Sequence, residues 1–428
     1  MEQLLHYVWR HRLYPQGDMR THDGRKIEIL DPGLPNMHAG PDFFNAKIRI
    51  DGLVWAGNVE IHENAADWYR HGHDKNASYD SVVLHVVGKD GGTPPSVNGR
   101  TLPQIVLPVP PYVEANYREL LAEDTYPPCY RVIPTLDSLT IRGWTAALTV
   151  ERLEQKTERI DAVLHRTVND WEATFFSTLA RSFGFGVNAD VMEHWASHID
   201  PQQVGKHRDN AFQVEAYFFG QAGLLEEDAP QPGESDDYFR QLQQEYRYLQ
   251  KKFSLQPMDA GEWRFLRLRP QNFPYVRLSQ LVELYCERRA NLSGLLAARN
   301  ADDIRSLFST QATPYWQSHY TFGQTCPKQG RRLQAGSLDL LIVNAAAPLL
   351  FAYGRHHFNE DLSERAFSLL EEVKPENNYI TRAWKKAGIA VENAADSQAL
   401  IQLRTRYCDR RDCLRCRFGC AYLRKART

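Results

Sequence analysis

The sequence predicts an α+β protein in which an N-terminal sheet domain precedes a large, mostly helical region and a C-terminal Cys-rich segment. Short apolar runs of strand type, separated by turn signals, occur before residue 110, whereas helical periodicity dominates from Leu139 to about Leu403. Four cysteines then fall within residues 408–420. We therefore predict domains at residues 1–125, 137–400 and 401–428, with a Pro-rich boundary at residues 126–134.

The first elements of the N-terminal domain are predicted from alternation and turn chemistry. A short helix over residues 2–12 precedes a strand at Arg25–Leu30. Ala46–Ile50 alternates apolar and basic residues, which is typical of a half-buried strand. Asp51-Gly52 predicts a tight hairpin turn, and Val54–Ile61 is the returning strand.

The second half of this domain continues with a short helix at Ala65–Arg70. Ser81–Val87 is nearly all apolar, as in a strand that is covered on both faces. A further strand is predicted at Gln104–Leu107 and a helix at Tyr112–Ala122. The predicted order of the core is therefore α-β-β-β-α-β, followed by one more strand.

The region after the Pro-rich boundary is predicted to be helical, because its apolar residues recur with helical spacing and strand-like runs are nearly absent. The helices are predicted at Trp144–His165, Asp170–Ser182, Asp190–Ser197, Asp236–Phe253, Ser279–Arg289, Leu338–Gly354 and Ser363–Glu372.

Composition restricts the class of protein. Hydrophobic residues make up 43% and charged residues 24%, which is ordinary for a soluble globular chain. The sequence shows no export signal at its start and no continuous run of roughly 20 apolar residues, so we expect a cytoplasmic protein without membrane contact. The net charge is only -2, which means that any positive surface for nucleic acid must be local.

Two carboxylates flank the predicted hairpin. Asp42 lies just before its first strand and Glu60 lies near the end of its second strand, so strand pairing brings them together. With a backbone carbonyl, they would form a minimal site for Mg²⁺ or Mn²⁺. Such a cation lowers the pKa of water and stabilises the charge that develops in phosphodiester hydrolysis.

Pro41-Asp42 followed by Glu60-x-His62 resembles the PD-(D/E)XK signature of the restriction-endonuclease-like superfamily, whose core has the same α-β-β-β-α-β order. The resemblance implies that Asp42 and Glu60 bind the metal and that Ile61 contributes its backbone carbonyl. His62 stands where the superfamily has a lysine that orients or activates water. Three alternatives remain: His62 acts as general base, Lys47 on the adjacent strand acts instead, or the site is inactive.

The whole chain also resembles a bacterial family of unknown function that is found mainly in Bacteroidetes. The match rests on Gly40–Phe43, Val59–His62, Asp67-Trp68, His71–His73, Leu84–Val87, Arg269–Pro274 and the C-terminal cysteines. This resemblance implies no activity.

A histidine cluster surrounds the proposed carboxylate pair in sequence. His62, His71, His73 and His85 fall within 24 residues, together with Asp74. Imidazole and carboxylate ligands suit Zn²⁺ or Mn²⁺, so a metal site on these histidines is an alternative. We expect His85 to be a hydrogen-bonded core residue. His71, His73 and Asp74 are expected either to support the metal ligands or the substrate, or to end the short helix.

The sharpest local motif is Cys408-x4-Cys413-x2-Cys416-x3-Cys420, whose thiolates would hold Zn²⁺ or an iron–sulfur cluster. We favour zinc, because the cysteines are contiguous, whereas in the iron–sulfur nucleases of the restriction-endonuclease-like superfamily they flank the nuclease core. A site of three of these cysteines completed by another ligand, such as Cys326, is the alternative. Nine Lys or Arg against two Asp from Gln402 to Thr428 give a local charge of +7, which would attract phosphates.

Three hypotheses for function follow. The first is a metal-dependent nuclease or DNA-processing protein with a nucleic-acid substrate, DNA being the first expectation, and with room for a protein partner. The second is a catalytically inactive nucleic-acid-binding or scaffolding protein that retains the nuclease fold. The third is a metallohydrolase that uses the His cluster on another substrate.

Overall fold

The computed structural model describes residues 1–15, 17, 19–36, 38–89, 91–226, 235–326 and 330–425. The chain forms two compact units. We call the first the sheet unit; it comprises Met1–Ile141, Ala383–Ile389 and Leu403–Thr428. The second, the helical unit, comprises Arg142–Arg382 and Ala390–Gln402.

The sheet unit begins with most of the elements that the sequence predicts. In chain order, the elements observed up to residue 122 are α1 (Glu2–Arg10), β1 (Ile27–Asp31), β2 (Leu34–Pro35), β3 (Phe43–Ile50), β4 (Leu53–His62), α2 (Asp67–Arg70), β5 (Val82–Val87), β6 (Ser96–Val97), β7 (Arg100–Thr101), β8 (Gln104–Val106) and α3 (Pro111–Ala122). The short strands β2, β6 and β7 were not predicted, because two residues are too few to show a period.

The main sheet has the order β1-β3-β4-β5-β8, and β2 pairs with β3 at its side. β1, β3 and β4 are antiparallel neighbours, whereas β4, β5 and β8 run parallel. The β3–β4 turn is the predicted Asp51-Gly52 pair, and both residues have positive φ (45° and 85°), as a type I′ hairpin turn requires. The fold class is thus a mixed α+β arrangement with its sheet near the N-terminus.

Burial along the strands decides where polar groups are enclosed. β5 is buried throughout, as predicted from its apolar run. β4 is exposed from Leu53 to Ala56 but buried from Val59 to His62, so Glu60 lies in the enclosed end of its strand. In the crossover between β4 and β5, Trp68 meets the His62 ring edge-on, and Tyr79 packs with Trp68 and Val82.

Residues 403–425 belong to the sheet unit, although the sequence analysis assigned 401–428 to a separate tail. The last helix of the unit, Arg417–Arg424, packs against α3. Asn116 of α3 donates its side-chain amide to the carbonyls of Tyr422, Leu423 and Lys425, at 3.0–3.3 Å. These bonds satisfy carbonyls at the end of a helix, which otherwise lack intrahelical partners.

The helical unit agrees with the predicted character of its region. Its helices are α4 (Ser138–Arg166), α5 (Trp171–Phe183), α6 (Ala189–Ser197), α7 (Pro201–Gly205), α8 (Ala211–Gln221), α9 (Asp237–Phe253), α10 (Pro274–Glu287), α11 (Leu292–Ala297), α12 (Ala301–Phe308), α13 (Ala335–Leu341), α14 (Ala347–His356), α15 (Glu360–Glu372), the first part of α16 (Tyr379–Ala387) and α17 (Ala394–Leu403). The second part of α16, from Ala383, belongs to the sheet unit, whose closing helix is α18 (Arg417–Arg424). A small hairpin, β9 (His319–Thr321) with β10 (Gln324–Thr325), interrupts the series.

The two helix starts that differ most from the prediction, α4 and α10, do so for identifiable reasons. α4 begins six residues before Trp144, where the Asp137 side chain accepts a hydrogen bond of 2.7 Å from the Thr140 amide. α10 begins at Pro274 rather than Ser279, since proline is well tolerated in the first helical turn.

A buried carboxylate organises the core of the helical unit. Glu215 of α8 is 1% exposed. It accepts hydrogen bonds from the hydroxyl groups of Thr313 (2.6 Å) and Tyr238 (2.9 Å) and from Nε1 of Trp316 (2.7 Å). These three donors satisfy a group that would otherwise be costly to bury.

A π-helical turn at Ile342–Ala346 joins α13 to α14. Lys156 of α4 donates to the Val343 carbonyl (2.8 Å) and to Oδ1 of Asn344 (3.0 Å), which gives polar atoms of the irregular turn a partner. The continuous stretch Ala335–His356 is long and apolar enough to cross a membrane by length and composition, but 67% of its most apolar window is buried inside the protein, as in a core helix.

Candidate metal centre

The ends of β3 and β4 bring Asp42 and Glu60 together. Phe43 pairs with Val59, which places Asp42 beside the residues that follow Val59. The Asp42 amide donates to Oε2 of Glu60 (3.1 Å), and the Ile61 amide donates to Oδ2 of Asp42 (2.9 Å). The Glu60 carboxylate is thus held by the backbone of Asp42, and the Asp42 carboxylate is held by the backbone of Ile61, the residue after Glu60.

Imidazole rings from three elements surround this pair. Nε2 of His62 and Nε2 of His73 lie 3.5 Å and 3.1 Å from Oε1 of Glu60. From the opposite side, Nε2 of His6 in α1 lies 3.4 Å from Oδ2 of Asp42. Helix α1, strand β4 and the crossover each contribute one ring.

The three nitrogens share an unusual property. Within the described residues, Nε2 of His6, His62 and His73 are all buried, and the carboxylate oxygens 3.1–3.5 Å away do not give any of them a hydrogen bond of good geometry. Buried ring nitrogens in proteins normally have a partner. Three such atoms that converge on two carboxylates are the arrangement expected of a cation site.

A buried hydrogen-bond chain fixes the tautomer of His62. Oε1 of Gln104 in β8 accepts from Nδ1 of His85 (2.9 Å), which leaves Nε2 of neutral His85 as an acceptor. Nδ1 of His62 lies 2.9 Å from that atom and therefore carries the proton. Nε2 of His62 then presents a lone pair toward Glu60, as a metal-ligating histidine does.

His71 completes a compact set of histidines. One ring nitrogen from each of His62, His71 and His73 lies within 4.8 Å of the others, close enough for one ion. Tyr79 stacks on the His73 ring with centroids 3.9 Å apart and fixes its orientation. His71 is exposed, so this set reaches the surface.

Burial shifts the pKa values of His62 and Glu60 in opposite directions. Burial, followed by the neighbouring imidazoles of His85, His73 and His71, lowers the pKa of His62 to about 3, so the ring is neutral. Burial, followed by the charge of Asp42, raises the pKa of Glu60 to about 9. Two carboxylates in one enclosed site repel each other, and a bound cation would relieve that repulsion.

The pKa of His6 is shifted in the opposite direction to that of His62. Burial lowers the pKa of His6, but the hydrogen bond and charge of Asp42 outweigh burial, with help from Glu2 and the Ile61 backbone, so that the net pKa is raised. The contact with Asp42 therefore favours the protonated form of His6 more than solvent does.

Other predicted site residues lie elsewhere. Lys47 is exposed and pairs across the sheet with Ala56, four residues before Glu60, which corresponds to about 13 Å along the strand. Asp74 is also exposed and acts on His73 only through its charge. His85 is the hydrogen-bonded core histidine that the sequence predicts.

Sequence reasoning missed two members of the site. His6 is the polar residue in the otherwise apolar and aromatic run Leu4–Trp9, which was a usable signal. Gln104 is 4% exposed in a strand fenced by prolines, and its role depends on the parallel pairing of β8 with β5.

The predicted cysteine motif also lies in the sheet unit. A separate cavity is lined by Cys408, Cys413 and Cys416, together with Cys129 from the segment before α4. Cys420 does not line this cavity, and neither does Cys326, which the sequence analysis considered as an additional ligand.

The fold and the site define an α+β protein whose sheet gathers two carboxylates and a set of histidines at one end. The chain belongs to a family described as "Protein of unknown function (DUF2851)", whose model matches residues 2–379. The match includes all the carboxylates and histidines of the candidate centre and ends before Cys408. No curated protein and no solved structure matches the chain significantly.

Proposed function

We propose that this protein is a metal-dependent nuclease whose sheet unit hydrolyses phosphodiester bonds at a His-rich variant of the PD-(D/E)XK site. The order α1, β1, β3, β4, crossover, β5 supports this proposal, as does the parallel pairing of β4 with β5. Asp42 precedes β3 and Glu60 lies in β4, the positions that the superfamily signature occupies.

The observation that carries the proposal is the convergence of three buried Nε2 atoms, none in a hydrogen bond of good geometry, on Asp42 and Glu60. Mixed nitrogen and oxygen donors suit Mn²⁺ or Zn²⁺ better than Mg²⁺, which prefers oxygen. We therefore propose Mn²⁺ as the first candidate, Zn²⁺ as the second, and Mg²⁺ as the weakest of the three.

Each residue has a proposed role. Asp42 and Glu60 supply the negative charge that holds the ion, and His62, His73 and His71 supply neutral nitrogen ligands. The Ile61 backbone lies against both Asp42 and His6, which keeps its carbonyl a candidate ligand. A divalent ion bound there would lower the pKa of a water molecule and polarise a phosphate.

The position of His62 favours a ligand over a general base. Its side chain is 1% exposed, Nδ1 is committed to His85 and Nε2 faces Glu60. A base must reach the water that attacks the substrate. Asp42 and His6, whose side chains are 24% and 32% exposed, mark the side from which a phosphodiester can approach.

The arginines of the C-terminal segment contribute to packing as well as charge. Arg411 donates to the carbonyls of Leu120 and Glu123, and the Arg404 guanidinium lies over the Tyr126 ring. Arg410 and Arg415 are exposed. We propose that the exposed arginines, rather than the whole +7 segment, contact nucleic-acid phosphates.

The test is cleavage of single- and double-stranded DNA and RNA with Mg²⁺, Mn²⁺ or Zn²⁺. We expect cleavage by the wild type that falls at least 100-fold in Asp42→Ala and Glu60→Ala. Asp124→Ala, which removes an exposed carboxylate after the end of α3, is the matched control and should keep full activity. Equal activity of wild type and Glu60→Ala would contradict the proposal.

The compact imidazole set favours a second candidate, a metallohydrolase that acts on a substrate other than nucleic acid. A panel of simple phosphoesters, esters and amides with the same variants distinguishes it from a nuclease. If no substrate is cleaved but DNA binds in a salt-dependent manner, the inactive nucleic-acid-binding protein is the better description.

A further inference from the structure

Four buried or half-buried cysteines line one cavity of the sheet unit, with their sulfur atoms more widely spaced than the ring nitrogens of His62, His71 and His73. Cys408, Cys413 and Cys416 come from the segment before α18, whereas Cys129 lies about 280 residues earlier in the chain, between α3 and α4. Pro128 and Trp384 complete the cavity wall, and Trp384 is anchored by a hydrogen bond of 2.7 Å from its Nε1 to the Tyr126 hydroxyl. None of these cysteines is in a disulfide.

Cys416 lies at the N-terminus of α18, where it is the residue that caps the helix. Burial raises the pKa of its thiol to about 12, and the nearby amides of Phe418 and Gly419 act in the opposite direction. Amides at a helix N-terminus stabilise negative charge, including that of a thiolate.

Gly419 allows the two parts of the motif to approach each other. A Cβ atom at this position would lie 2.2 Å from the Cys413 carbonyl oxygen. Only glycine lets α18 pack this closely on the Cys413 loop. The close packing holds Cys413 and Cys416 on the same cavity.

Cys420, the fourth cysteine of the sequence motif, is engaged differently. Its sulfur donates to the Leu414 carbonyl at 3.3 Å, which requires the protonated thiol. A metal-binding cysteine must be a thiolate. The Tyr7 hydroxyl of α1 also contacts this residue.

The four cavity cysteines repel one another as thiolates. Burial, followed by the charges of Cys416, Cys408 and Cys413, raises the pKa of Cys129 well above its usual value. Burial also raises the pKa of Cys408. It raises the pKa of Cys416 to about 12. A cation bound among them would offset both costs, because metal binding favours deprotonated thiols.

We propose that Cys129, Cys408, Cys413 and Cys416 form a thiolate-bound metal centre, zinc or iron–sulfur, in which Cys129 replaces Cys420 of the sequence motif. This site would link the segment between α3 and α4, which contains Cys129, to residues 403–425. The inference is independent of the proposed nuclease site, since the two sites share no residue.

The test compares metal content in full-length protein, purified without oxygen, in a Glu60→Ala background that removes a ligand of the other site. We expect about one zinc, or about two to four iron atoms with visible absorbance, per chain. Cys129→Ser should lose at least 80% of this metal. Cys420→Ser and the distant Cys286→Ser should retain it.

A second measurement covers the case in which Cys129→Ser does not fold. In the otherwise unmutated Glu60→Ala protein, alkylation followed by mass spectrometry should show Cys129, Cys408, Cys413 and Cys416 becoming reactive together when a chelator removes the metal. Retention of metal by Cys129→Ser with loss in Cys420→Ser would overturn the proposal in favour of the contiguous motif. Absence of metal after reconstitution with Zn²⁺, and with iron and sulfide, would overturn it altogether.

Discussion

Nδ1 of His62 lies 2.9 Å from Nε2 of His85, and both rings are almost fully enclosed. Gln104 accepts a hydrogen bond from Nδ1 of His85, so Nε2 of His85 is left as an acceptor. The proton of His62 therefore lies on its Nδ1. A residue of β8 thereby determines which ring nitrogen of a histidine in β4 presents its lone pair toward Glu60, without contacting that carboxylate itself.

His85→Leu should weaken binding of Mn²⁺ by a factor of 10 to 100, because loss of the hydrogen bond frees the tautomer and orientation of His62. Isothermal titration calorimetry with the apoprotein measures the effect. His165→Ala, an exposed histidine of α4, is the control and should bind like the wild type. An unchanged affinity in folded His85→Leu would show that the chain of hydrogen bonds does not position His62.

His6→Ala should lower nuclease activity at least tenfold, because it removes the ring beside Oδ2 of Asp42 on the accessible side of the site. The assay is cleavage under the conditions that give the highest wild-type rate. His11→Ala in the following turn is the matched control, since Nδ1 of His11 contacts Arg424 instead. Equal losses in both variants would indicate damage to the helix rather than to the site.

Glu215→Ala should destabilise the helical unit by about 3 kcal/mol or more, because three buried donors lose their acceptor. Urea unfolding followed by tryptophan fluorescence measures the change. Glu158→Ala, on the exposed face of α4, should change stability by about 0.5 kcal/mol or less. A small effect of Glu215→Ala would mean that the donors find other partners.

Lys156 should make stability increase with pH. Burial, followed by the charge of Arg152, lowers the pKa of Lys156 to about 7. Between that value and the ordinary pKa of lysine, near 10.4, the unfolded chain binds a proton that the folded protein lacks, so the free energy of unfolding rises with pH.

Urea unfolding at pH 7, 8 and 9 provides the measurement for Lys156. The wild type should gain stability relative to Lys156→Met as the pH rises, and Lys251→Met, which changes an exposed lysine of α9, should follow the wild type. Parallel curves for the wild type and Lys156→Met would contradict this prediction.

The elements of the sheet unit were predictable where the chain itself encodes them. The Asp51-Gly52 turn, the alternation in β3 and the apolar run of β5 each depend on neighbouring residues. The pairing of Asp42 with Glu60 followed from the hairpin alone. Two-residue strands such as β6 and the caps of long helices, such as Asp137, were missed because their signal is one or two residues long.

The rest of the candidate site depends on contacts between distant residues. Gln104 reaches His85 because β8 runs beside β5, and His6 reaches Asp42 because α1 packs on the sheet. Cys129 meets Cys408 only when the whole sheet unit is assembled. No local pattern reveals such partners, so a contiguous motif of four cysteines was the natural prediction from sequence.

The docking of α18 on α3 also determines when the sheet unit becomes complete during synthesis. Residues 403–425 leave the ribosome only after nearly the whole helical unit has been made, so α3 waits through about 280 residues of translation without its partner. During that interval the side chain of Asn116 and the thiol of Cys129 lack the contacts that they make in the finished protein. The sheet unit therefore cannot complete this packing before nearly the whole chain has been synthesised.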